Sequence, residues 1–440
     1  MLIPITSAIQ TPTKQIVSST AVTLLLLLFF MSSCGALPLR KIKGSLSDKL
    51  NTAAYHQQFT GILVVDLKTK DTLYSRNAQK YFTPASTVKL FTLYAALKNL
   101  DKHTPLLKYS EQQDTLYIFG TGNPAFLHPY FNDSTVLPFL NRYKNILLST
   151  HHYIGEKYGP GWAWEDYPYY FSAEINSFPL YGNVLRVNPG TSRVVYPQSF
   201  EPNIQLTSGK ATRAWGDNRF YLPAEIKDTL DIPFITSDSL TLRLLAEKVN
   251  ARVRLSKENP VLPTQLYYGI ETDTILKRML FKSDNFLAEQ TMLMVAATLS
   301  DTLSFPLARD HVLVHNLNHL KQPPRWVDGS GLSRYNLFSP ESMVQVLTQL
   351  YDETDTTRLF SLMPRWTGNG TFEDEKEGFE DHFLMAKSGS MGNIYNLCGY
   401  LRTSSGRLLV FSFMNNHFKG PNDEVREQMF AILKAIHRAY

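Results

Sequence analysis

The sequence predicts an α+β fold, in which an antiparallel sheet flanked by helices is interrupted by a mainly β insertion. Three observations predict it. A β-branched apolar run that turns back as a hairpin follows the first helical pattern. Three strand-like runs and an amphipathic helix end the chain. Between residues 101 and 236 the apolar runs are short and turns are frequent. Helices and antiparallel strands segregated in this way form α+β layers.

The first predicted elements are a helix, a hairpin and a second helix. Residues 46–57 are predicted as the first helix, and the β-branched run 61–67 as the first strand of the hairpin. Thr83 and Pro84 open the second helix, because Thr is a good N-cap and Pro is favoured at the first helical position. We expect this helix to end near Leu100.

Helical and strand patterns are separate in the rest of the chain. The predicted elements after the insertion are helices at 240–249, 275–280, 286–299 and 425–440, and strands at 383–387, 395–402 and 408–414. Residues 403–406 have the composition of a hairpin turn between the last two strands. The three strands therefore complete the sheet that the N-terminal hairpin begins.

The composition is that of a soluble globular protein. The 440 residues are enough for one large domain with an insertion, or for two to three ordinary domains. The chain is 43% hydrophobic and 19% charged, which argues against a disordered chain or a coiled coil. The net charge of +5 is spread along the chain without a cluster of lysines and arginines. We therefore expect no nucleic-acid partner.

The N-terminus carries the pattern of an export signal. Lys14 precedes an apolar run at 21–31, which is shorter than the ~20 residues that a membrane-spanning helix needs. Residues 1–33 are therefore predicted as a signal peptide, with an N-terminal membrane anchor as the alternative. Cys34 follows small residues and resembles the cysteine of a bacterial lipobox, although Met31 stands where Leu is usual. The resemblance implies cleavage before Cys34, lipidation of its sulfur, and attachment to a membrane through that lipid.

The second of the two cysteines, Cys398, lies in a strand-like run. If Cys34 is lipidated, Cys398 has no partner, which argues against a disulfide framework and a cysteine metal site. We expect Cys398 to pack as a small buried apolar side chain.

The first chemical motif is Ser86 followed by Lys89 in the first turn of the second helix. Residues three apart share a helix face, so the Lys89 amine can take the Ser86 proton if burial lowers the pKa of the lysine. The backbone N–H of Ser86 is an unsatisfied donor of the helix N-terminus and can point at a developing oxyanion. Alone, the pattern is weak evidence, and a helix start that carries a solvated lysine would be the better interpretation.

Two further motifs follow in order and support a catalytic interpretation of the first motif. The second motif is Ser283-Asp284-Asn285, which lies between two helical patterns, and the third motif begins with Lys387 at the end of a strand. The combination S-x-x-K, S-D-N and K-T-G is found in β-lactamases and penicillin-binding proteins. The Ser283 hydroxyl can relay a proton to a leaving nitrogen, the Asn285 amide can hold the substrate backbone, and Lys387 supplies positive charge.

The third motif continues as Ser388-Gly389-Ser390, with Ser388 in place of Thr. The hydroxyls of Ser388 and Ser390 can bind a terminal carboxylate. Gly389 permits close approach of the strand, and the Ser390 N–H would be the second oxyanion donor. The hydroxyl is kept at Ser388, so we expect no loss of chemistry there.

On these motifs the chain resembles the penicillin-recognising serine D,D-peptidases, and specifically the low-molecular-mass D-alanyl-D-alanine carboxypeptidase/endopeptidases with a large insertion. Residues 328–336, DGSGLSRYN, match a signature loop of this group, and residues 161–166, GWAWED, resemble part of its insertion. The distance of 197 positions from Ser86 to Ser283 also fits, whereas a class A β-lactamase has far fewer residues there. Asn123 stands where the group has Asp, and the insertion is short.

The resemblance implies a β-lactamase/transpeptidase-like domain formed by residues 35–100 and 237–440, with residues 101–236 as the insertion. It implies an acyl-enzyme on Ser86, loss of the terminal D-alanine from peptidoglycan stem peptides, and covalent inhibition by β-lactam antibiotics. Some relatives also cut the peptide cross-link. Such enzymes need no metal and no cofactor, and they work in the cell envelope, exported to the periplasm.

Two other functions fit the same motifs. One is a β-lactamase on the same scaffold, which would turn the penicilloyl adduct over rapidly. The other is a peptidoglycan-binding protein that keeps the cleft without catalysis. The complete motif set argues against the second, since a non-catalytic protein has no need to keep Ser86 and Lys89 together.

Several other signals have simpler interpretations. His311, His315 and His319 are spaced four apart and could seat a metal, but a helix with a polar histidine edge is the better interpretation. The Tyr/Trp-rich stretch 162–170 is better interpreted as domain core than as a sugar platform, with contact to glycan as the alternative. Turn chemistry alone can explain the residues from Asp328 to Gly331, with a role of Asp328 and Ser330 in shaping the rim of the active site as the alternative.

Overall fold

The computed structural model of the protein describes residues 44, 46–189, 194–256, 265–366, 372–373 and 382–440. The predicted signal peptide and Cys34 lie outside these residues. Within them, no helix is both long enough and apolar enough to cross a membrane.

A seven-stranded sheet forms the centre of the domain that the insertion interrupts, and every neighbouring pair in it is antiparallel. In spatial order its strands are Phe372–Glu373, Arg365–Trp366, Leu384–Met391, Ile394–Arg402, Leu408–Asn416, Phe59–Asp66 and Thr72–Arg76. The N-terminal hairpin and the C-terminal strands therefore share one sheet. The predicted α+β fold is confirmed.

Helices cover both faces of this sheet because its strand residues are apolar on both sides. Successive strand side chains point to opposite faces. Leu397 packs with the final helix, Asn422–Ala439, whereas its neighbour Cys398 packs with the core that contains the helices Lys89–Asn99 and Asn285–Leu299. The central strands are consequently buried on both faces, which explains their near-continuous apolar runs.

The predicted helices are present with small shifts at their ends, whereas Leu137–Leu140, Pro340–Glu353 and Thr356–Leu362 were not predicted. The α-helices are Ala53–His56, Lys89–Asn99, Leu137–Leu140, Asp238–Ala246, Thr272–Phe281, Asn285–Leu299, Phe305–His311, Pro340–Glu353, Thr356–Leu362 and Asn422–Ala439. The short 3₁₀ helices are Ala85–Val88, Trp164–Asp166, Tyr170–Ser172, Tyr181–Asn183 and Gln198–Asn203, and Val312–Asn316 is a π-helix. The first predicted helix is interrupted by a turn at Asn51 and Thr52.

The remaining strands form the insertion. A five-stranded mixed sheet has the spatial order Arg252–Leu255, Asn145–Ser149, Thr115–Gly120, His103–Gln112 and Gln265–Glu271. Two three-stranded sheets have the orders Ile204–Thr207, Phe220–Pro223, Thr212–Arg213 and Leu230–Pro233, Val184–Asn188, Val194–Tyr196. The prediction of a mainly β insertion is therefore confirmed.

We propose that the insertion ends later in the chain than the expected boundary at residue 236. The sequence places it after residue 236, where helical spacing returns. In the structure, the helix Asp238–Ala246 packs its Leu244 and Leu245 into the core of the insertion. The five-stranded sheet also includes Gln265–Glu271 as an edge strand. A return of helical periodicity does not show which core a helix joins, and we propose that the interrupted domain resumes near Thr272.

Cys398 lies in a central strand and is fully buried, as the sequence predicts. Its sulfur lies 3.2 Å from the Ser412 hydroxyl. Burial raises the pKa of this thiol to about 12, so the thiolate that would react with oxidants is suppressed.

Candidate active site

Ser86 lies on a tight turn that precedes the helix Lys89–Asn99. The turn is the 3₁₀ helix Ala85–Val88, and Ala85 adopts a left-handed φ of 48°. The expected cap at Thr83 is wrong: no side chain caps this turn, and the Thr83 N–H donates to Asn416 Oδ1 at 2.7 Å. The sheet holds the turn instead, since Asn396 Nδ2 donates to the carbonyl oxygens of Thr83 and Pro84.

Lys89 reaches the Ser86 hydroxyl as the motif predicts. Its Nζ lies 3.0 Å from Ser86 Oγ, within hydrogen-bond distance. Two further acceptors fix the ammonium group, namely Asn285 Oδ1 and the carbonyl oxygen of Ser330, each at 2.7 Å. The side chain is fully buried. The alternative of a solvated lysine at a helix start is therefore wrong.

Burial changes the acid–base character of Lys89. Removal from water lowers its pKa to about 8, and the nearby carboxyls of Asp328, Glu289 and Asp284 oppose the shift. A lysine with a pKa near 8 is partly neutral at physiological pH and can accept a proton.

A second pair, Ser283 and Lys387, lies beside the first. Lys387 Nζ is 2.9 Å from Ser283 Oγ and 2.8 Å from the carbonyl oxygen of Ser388. Burial, and next the positive charge of Lys89, hold the pKa of Lys387 well below its usual value. Asp284 caps the helix Asn285–Leu299 by accepting from the Leu287 N–H at 3.0 Å, which fixes the loop that carries Ser283.

Asn285 is placed differently from its expected role. Its Oδ1 accepts from Lys89, and its Nδ2 donates to the carbonyl oxygen of Phe171 at 3.1 Å. Both ends of the amide are therefore engaged by the protein. Asn285 lies at the site, but in this structure it positions Lys89 and ties the insertion to the domain that it interrupts.

The third motif lies within a strand rather than at its end. The strand Leu384–Met391 continues to a two-residue hairpin turn, and Met391 pairs with Ile394. Its outer edge has a strand neighbour only up to Met385 among the described residues. The Ala386 N–H points to this edge, where it donates to Pro364. Backbone direction alternates, so the N–H groups of Ser388 and Ser390 point to the same open edge.

Gly389 lets this strand approach the nucleophile turn. A Cβ at Gly389 would lie 2.5 Å from the carbonyl oxygen of Pro84 and 2.9 Å from the backbone nitrogen of Ser86. No side chain fits in that space. The predicted reason for a glycine at this position is therefore present in the structure.

The hydroxyls of Ser388 and Ser390 differ in their surroundings. Ser388 is half-buried beside Lys387. Ser390 is exposed, and its Oγ accepts from Asn422 Nδ2 at 2.6 Å. The sequence did not predict this partner from the final helix.

The sequence did not predict Glu289, which fixes the loop whose Ser330 carbonyl contacts Lys89. Glu289 accepts the N–H groups of Gly329 and Ser330 at 3.0 and 2.8 Å, and the Ser330 carbonyl accepts from Lys89. Glu289 lies four residues after Asn285, so one helix face holds the lysine directly and through this loop. That spacing was a signal available in the sequence. Burial, and next the charge of Asp328, raise the pKa of Glu289.

Turn chemistry alone does not explain the loop at Asp328. The two oxygens of this carboxyl accept from the backbone N–H groups of Gly331 and Ser333 at 2.8 and 2.6 Å. They also accept from Asn336 Nδ2 at 2.7 Å and from Trp162 Nε1 at 2.9 Å. Asp328 therefore organises the loop that presents Ser330 to Lys89.

Two of the simpler interpretations given to other sequence signals need correction. Trp164 is 73% exposed, so the aromatic stretch at 162–170 is not simply domain core. His319 lies in a turn beyond the π-helix that contains His315, so the three histidines do not share one helix face. The rings of His311 and His315 do contact each other, with centroids 4.6 Å apart.

Comparison with known proteins agrees with this geometry. A family model described as the D-Ala-D-Ala carboxypeptidase 3 (S13) family matches residues 42–191 and 268–436. D-alanyl-D-alanine carboxypeptidase DacB of Haemophilus influenzae is 24% identical over 417 residues, covering 82% of this chain and 86% of that protein. Carboxypeptidase DacB of Mycolicibacterium smegmatis is 23% identical over 399 residues, covering 84% and 79%.

A solved structure shares the fold. Penicillin binding protein 4 (dacB) from Haemophilus influenzae aligns with a TM-score of 0.66 at 22% identity, covering 89% of this chain and 98% of that chain. The β-lactamase/transpeptidase-like architecture with an insertion, expected from the motifs, is therefore confirmed as the fold. The family match covers most of the chain on both sides of residues 192–267. The chain belongs to the D-Ala-D-Ala carboxypeptidase 3 (S13) family of serine peptidases.

Proposed function

We propose that this protein is a D-alanyl-D-alanine carboxypeptidase that acts on peptidoglycan stem peptides through an acyl-enzyme on Ser86. One observation carries the proposal. The Ser86 hydroxyl lies 3.0 Å from a buried lysine, Lys89, whose pKa is lowered to about 8. A nucleophile with an adjacent base of suitable pKa is the requirement of covalent acyl transfer.

The first half of the reaction forms the acyl-enzyme. Ser86 Oγ bonds to the carbonyl carbon of the penultimate D-alanine while its proton passes to Lys89 Nζ. The developing oxyanion accepts from the N–H groups of Ser86 and Ser390. The C–N bond then breaks, and the leaving amine takes a proton from the Ser283 hydroxyl, which Lys387, 2.9 Å away, reprotonates. Water later attacks the ester carbonyl and gives up a proton that restores Lys387, while Lys89 returns its proton to Ser86 Oγ as the ester bond breaks.

The terminal carboxylate of the substrate faces the strand edge. Lys387 and the Ser388 hydroxyl are the groups suited to bind it. Binding an anion beside Lys387 favours the charged form of this lysine, which supports proton delivery through Ser283. The same steps on a cross-linked peptide, with the amine of the cross-link as leaving group, would make the protein an endopeptidase as well.

The test measures two properties of a protein that begins after Cys34. We expect benzylpenicillin to give a persistent covalent adduct by intact mass, and a soluble peptide ending in D-Ala-D-Ala to lose one D-alanine. The Ser86→Ala variant should do neither. A transient adduct with rapid loss of the drug would identify a β-lactamase. Binding of peptidoglycan without any adduct or D-alanine release would identify a non-catalytic binding protein.

The loop behind Lys89 gives a second prediction. Glu289→Ala removes the acceptor of two buried N–H groups, which costs about 1–3 kcal/mol for each. The Ser330 carbonyl then loses its fixed position, and we expect penicillin acylation to slow by roughly ten- to a hundred-fold, since small misplacements at a reacting centre are costly. Acylation rates and melting temperatures check this. Thr298→Ala, on the exposed last turn of the same helix, is the control; an unchanged acylation rate in Glu289→Ala would contradict the role.

We also propose that the protein is exported to the periplasm and anchored to a membrane through a lipid on Cys34. The support is the apolar run at 21–31 followed by small residues and this cysteine. In cells, the full-length protein should fractionate with membranes, and Cys34→Ser should remove the lipid-sized mass increment and release the protein. Membrane association that survives Cys34→Ser would favour an uncleaved N-terminal anchor.

A further inference from the structure

We propose that exposed aromatic residues beside the active site bind the glycan strand to which the stem peptide is attached. The site consists of the aromatic arch, defined as residues 160–171, together with Trp215. This inference rests on the proposed function, because it assigns a second part of the same substrate to a second part of the protein.

Both ends of the aromatic arch are tied to the groups that hold Lys89. At the first end, Ser333 Oγ donates to the Pro160 carbonyl at 2.6 Å, and Trp162 Nε1 donates to Asp328 Oδ2 at 2.9 Å. At the other end, Asn285 Nδ2 donates to the Phe171 carbonyl. The arch is therefore a fixed rim of the active site.

The side chains between these ties are aromatic and exposed. Trp164 is 73% exposed, Tyr169 53% and Tyr170 57%. Trp215, from another part of the insertion, is 61% exposed, and its ring lies 5.8 Å from that of Trp164, nearly perpendicular to it. The two most exposed tryptophans of the described residues thus meet at one place. Exposed apolar groups gathered in this way mark binding sites.

The ring of Trp215 is held in place by contacts with Tyr167, which is itself fixed by Arg213. Tyr167 packs edge-to-face on Trp215 with centroids 4.6 Å apart, and its hydroxyl donates to the Arg213 carbonyl at 3.2 Å. The buried Arg213 guanidinium donates in turn to the carbonyl oxygens of Pro233 and Ala214 at 2.8 and 2.7 Å. Because the aromatic arch and Trp215 are fixed before a ligand binds, they lose little conformational freedom on binding, which favours affinity.

The charges nearby favour a neutral ligand. Glu165 and Asp166 follow Trp164 directly in the sequence, and Asp166 is close enough to Arg334 to be affected by its positive charge. The two carboxyls outnumber this guanidinium, so they would disfavour an anionic membrane surface or a nucleic acid. A chain of N-acetylated amino sugars offers neutral apolar C–H faces for the rings and hydroxyl and amide groups for the carboxyls. An amphipathic ring such as that of Trp suits a ligand of this mixed character.

The geometry of the substrate also fits. The stem peptide joins the glycan at its N-terminal end, about four residues before the scissile bond, which is roughly 13 Å when the peptide is extended. The Phe171 carbonyl accepts from Asn285 Nδ2 at 3.1 Å, and Asn285 Oδ1 accepts from Lys89 Nζ at 2.7 Å. Because Lys89 Nζ lies 3.0 Å from Ser86 Oγ, the Phe171 end of the arch lies within a stem peptide's reach of the nucleophile.

The experiment compares one peptide in two forms. D-alanine release is measured with a soluble pentapeptide ending in D-Ala-D-Ala and with the same peptide on purified uncross-linked glycan strands. The double variant Trp164→Ala/Trp215→Ala is compared with wild type and with Tyr268→Ala, a 45% exposed tyrosine on the edge strand Gln265–Glu271. Isothermal titration calorimetry with a tetramer of N-acetylglucosamine measures sugar binding without catalysis and without relying on the substituted tryptophans as reporters.

We expect the double variant to raise KM for the glycan-linked substrate by about ten-fold or more, the loss expected for one to two stacked rings. Its kcat, and its KM for the soluble peptide, should stay at wild-type values, and Tyr268→Ala should change neither. Equal KM values of wild type for both substrates, or sugar binding unaffected in the double variant, would overturn the proposal. If wild type released D-alanine from neither substrate, the proposed function would fail, while the tetramer would still decide whether the aromatic arch and Trp215 bind sugar.

Discussion

Replacing Lys89 by Met is expected to slow acylation of Ser86 by roughly a thousand-fold, within the 10²–10⁴-fold range of general-base catalysis. Met has a similar length and apolar character but cannot accept the Ser86 proton. The binding surface of the strand edge would remain, so penicillin should still bind without reacting. The rate of adduct formation by intact mass, measured at saturating benzylpenicillin, checks this.

The pH dependence of the acylation rate in the wild type is a second test of Lys89 as the base. Lys89 acts only when neutral, and its pKa is lowered to about 8. The acylation rate should therefore rise about ten-fold per pH unit below pH 8 and level off above it. The residual rate of Lys89→Met should lack this rise. A wild-type rate that falls as pH rises through 8 would contradict the role of Lys89 as base.

A structural effect of the substitution must be separated from the chemical one. Lys89→Met leaves Asn285 Oδ1 and the Ser330 carbonyl without their donor, which costs about 1–3 kcal/mol for each. It also removes the cost of burying a charge, so the melting temperature should change little. Lys98→Met on the same helix, where Lys98 pairs with Glu353 near the surface, is the matched control and should acylate normally. Equal acylation rates in the two variants would remove the central assignment.

The three motifs could be predicted from the sequence because their chemistry is local. Ser86 and Lys89 are three residues apart, and a helical turn brings them together whatever the rest of the fold does. The sheet was predictable for a similar reason, since strands buried on both faces leave near-continuous apolar runs such as 394–401, where Asn396 is the one polar amide. The order of the motifs then placed them in one family.

The contacts that tune the site were not predictable in this way. Thr83 has the residue type of an N-cap, but Asn416 takes its N–H from 333 residues away. Asn285 was assigned to the substrate, whereas its amide holds Lys89 and the carbonyl of Phe171. Both are long-range hydrogen bonds between segments that no local propensity connects.

The loop at residues 328–331 shows how a correct local interpretation can be incomplete. Its Asp and Gly residues do form a turn, as their types predict. The function of the turn depends on where its backbone lies, since the Ser330 carbonyl contacts Lys89 and Gly331 lies against the nucleophile turn. A backbone contact leaves little trace in residue type, except where it demands a glycine.

Gly331→Ala is expected to reduce acylation of Ser86 by about a hundred-fold or more. Gly331 has a left-handed φ of 83°, and a Cβ there would lie 1.9 Å from the Ala85 carbonyl oxygen and 3.1 Å from the Ser86 nitrogen. Relieving that contact requires a shift of more than about 1 Å between the loop and the turn, and a misplacement of that size can cost 10²-fold. The shift also moves the Ser330 carbonyl away from Lys89.

Gly406→Ala separates this displacement from backbone strain. Gly406 has nearly the same φ, 86°, but a Cβ there has no neighbour within 4 Å. Both variants carry the strain of a left-handed alanine, about 1–2 kcal/mol, so both should melt somewhat earlier than wild type. Only Gly331→Ala should lose acylation, because only there must the nucleophile turn move. Similar acylation rates in the two variants would mean that the loop at residues 328–331 can move without displacing Ser86. The contact between Gly331 and Ala85 would then have no role in positioning the nucleophile.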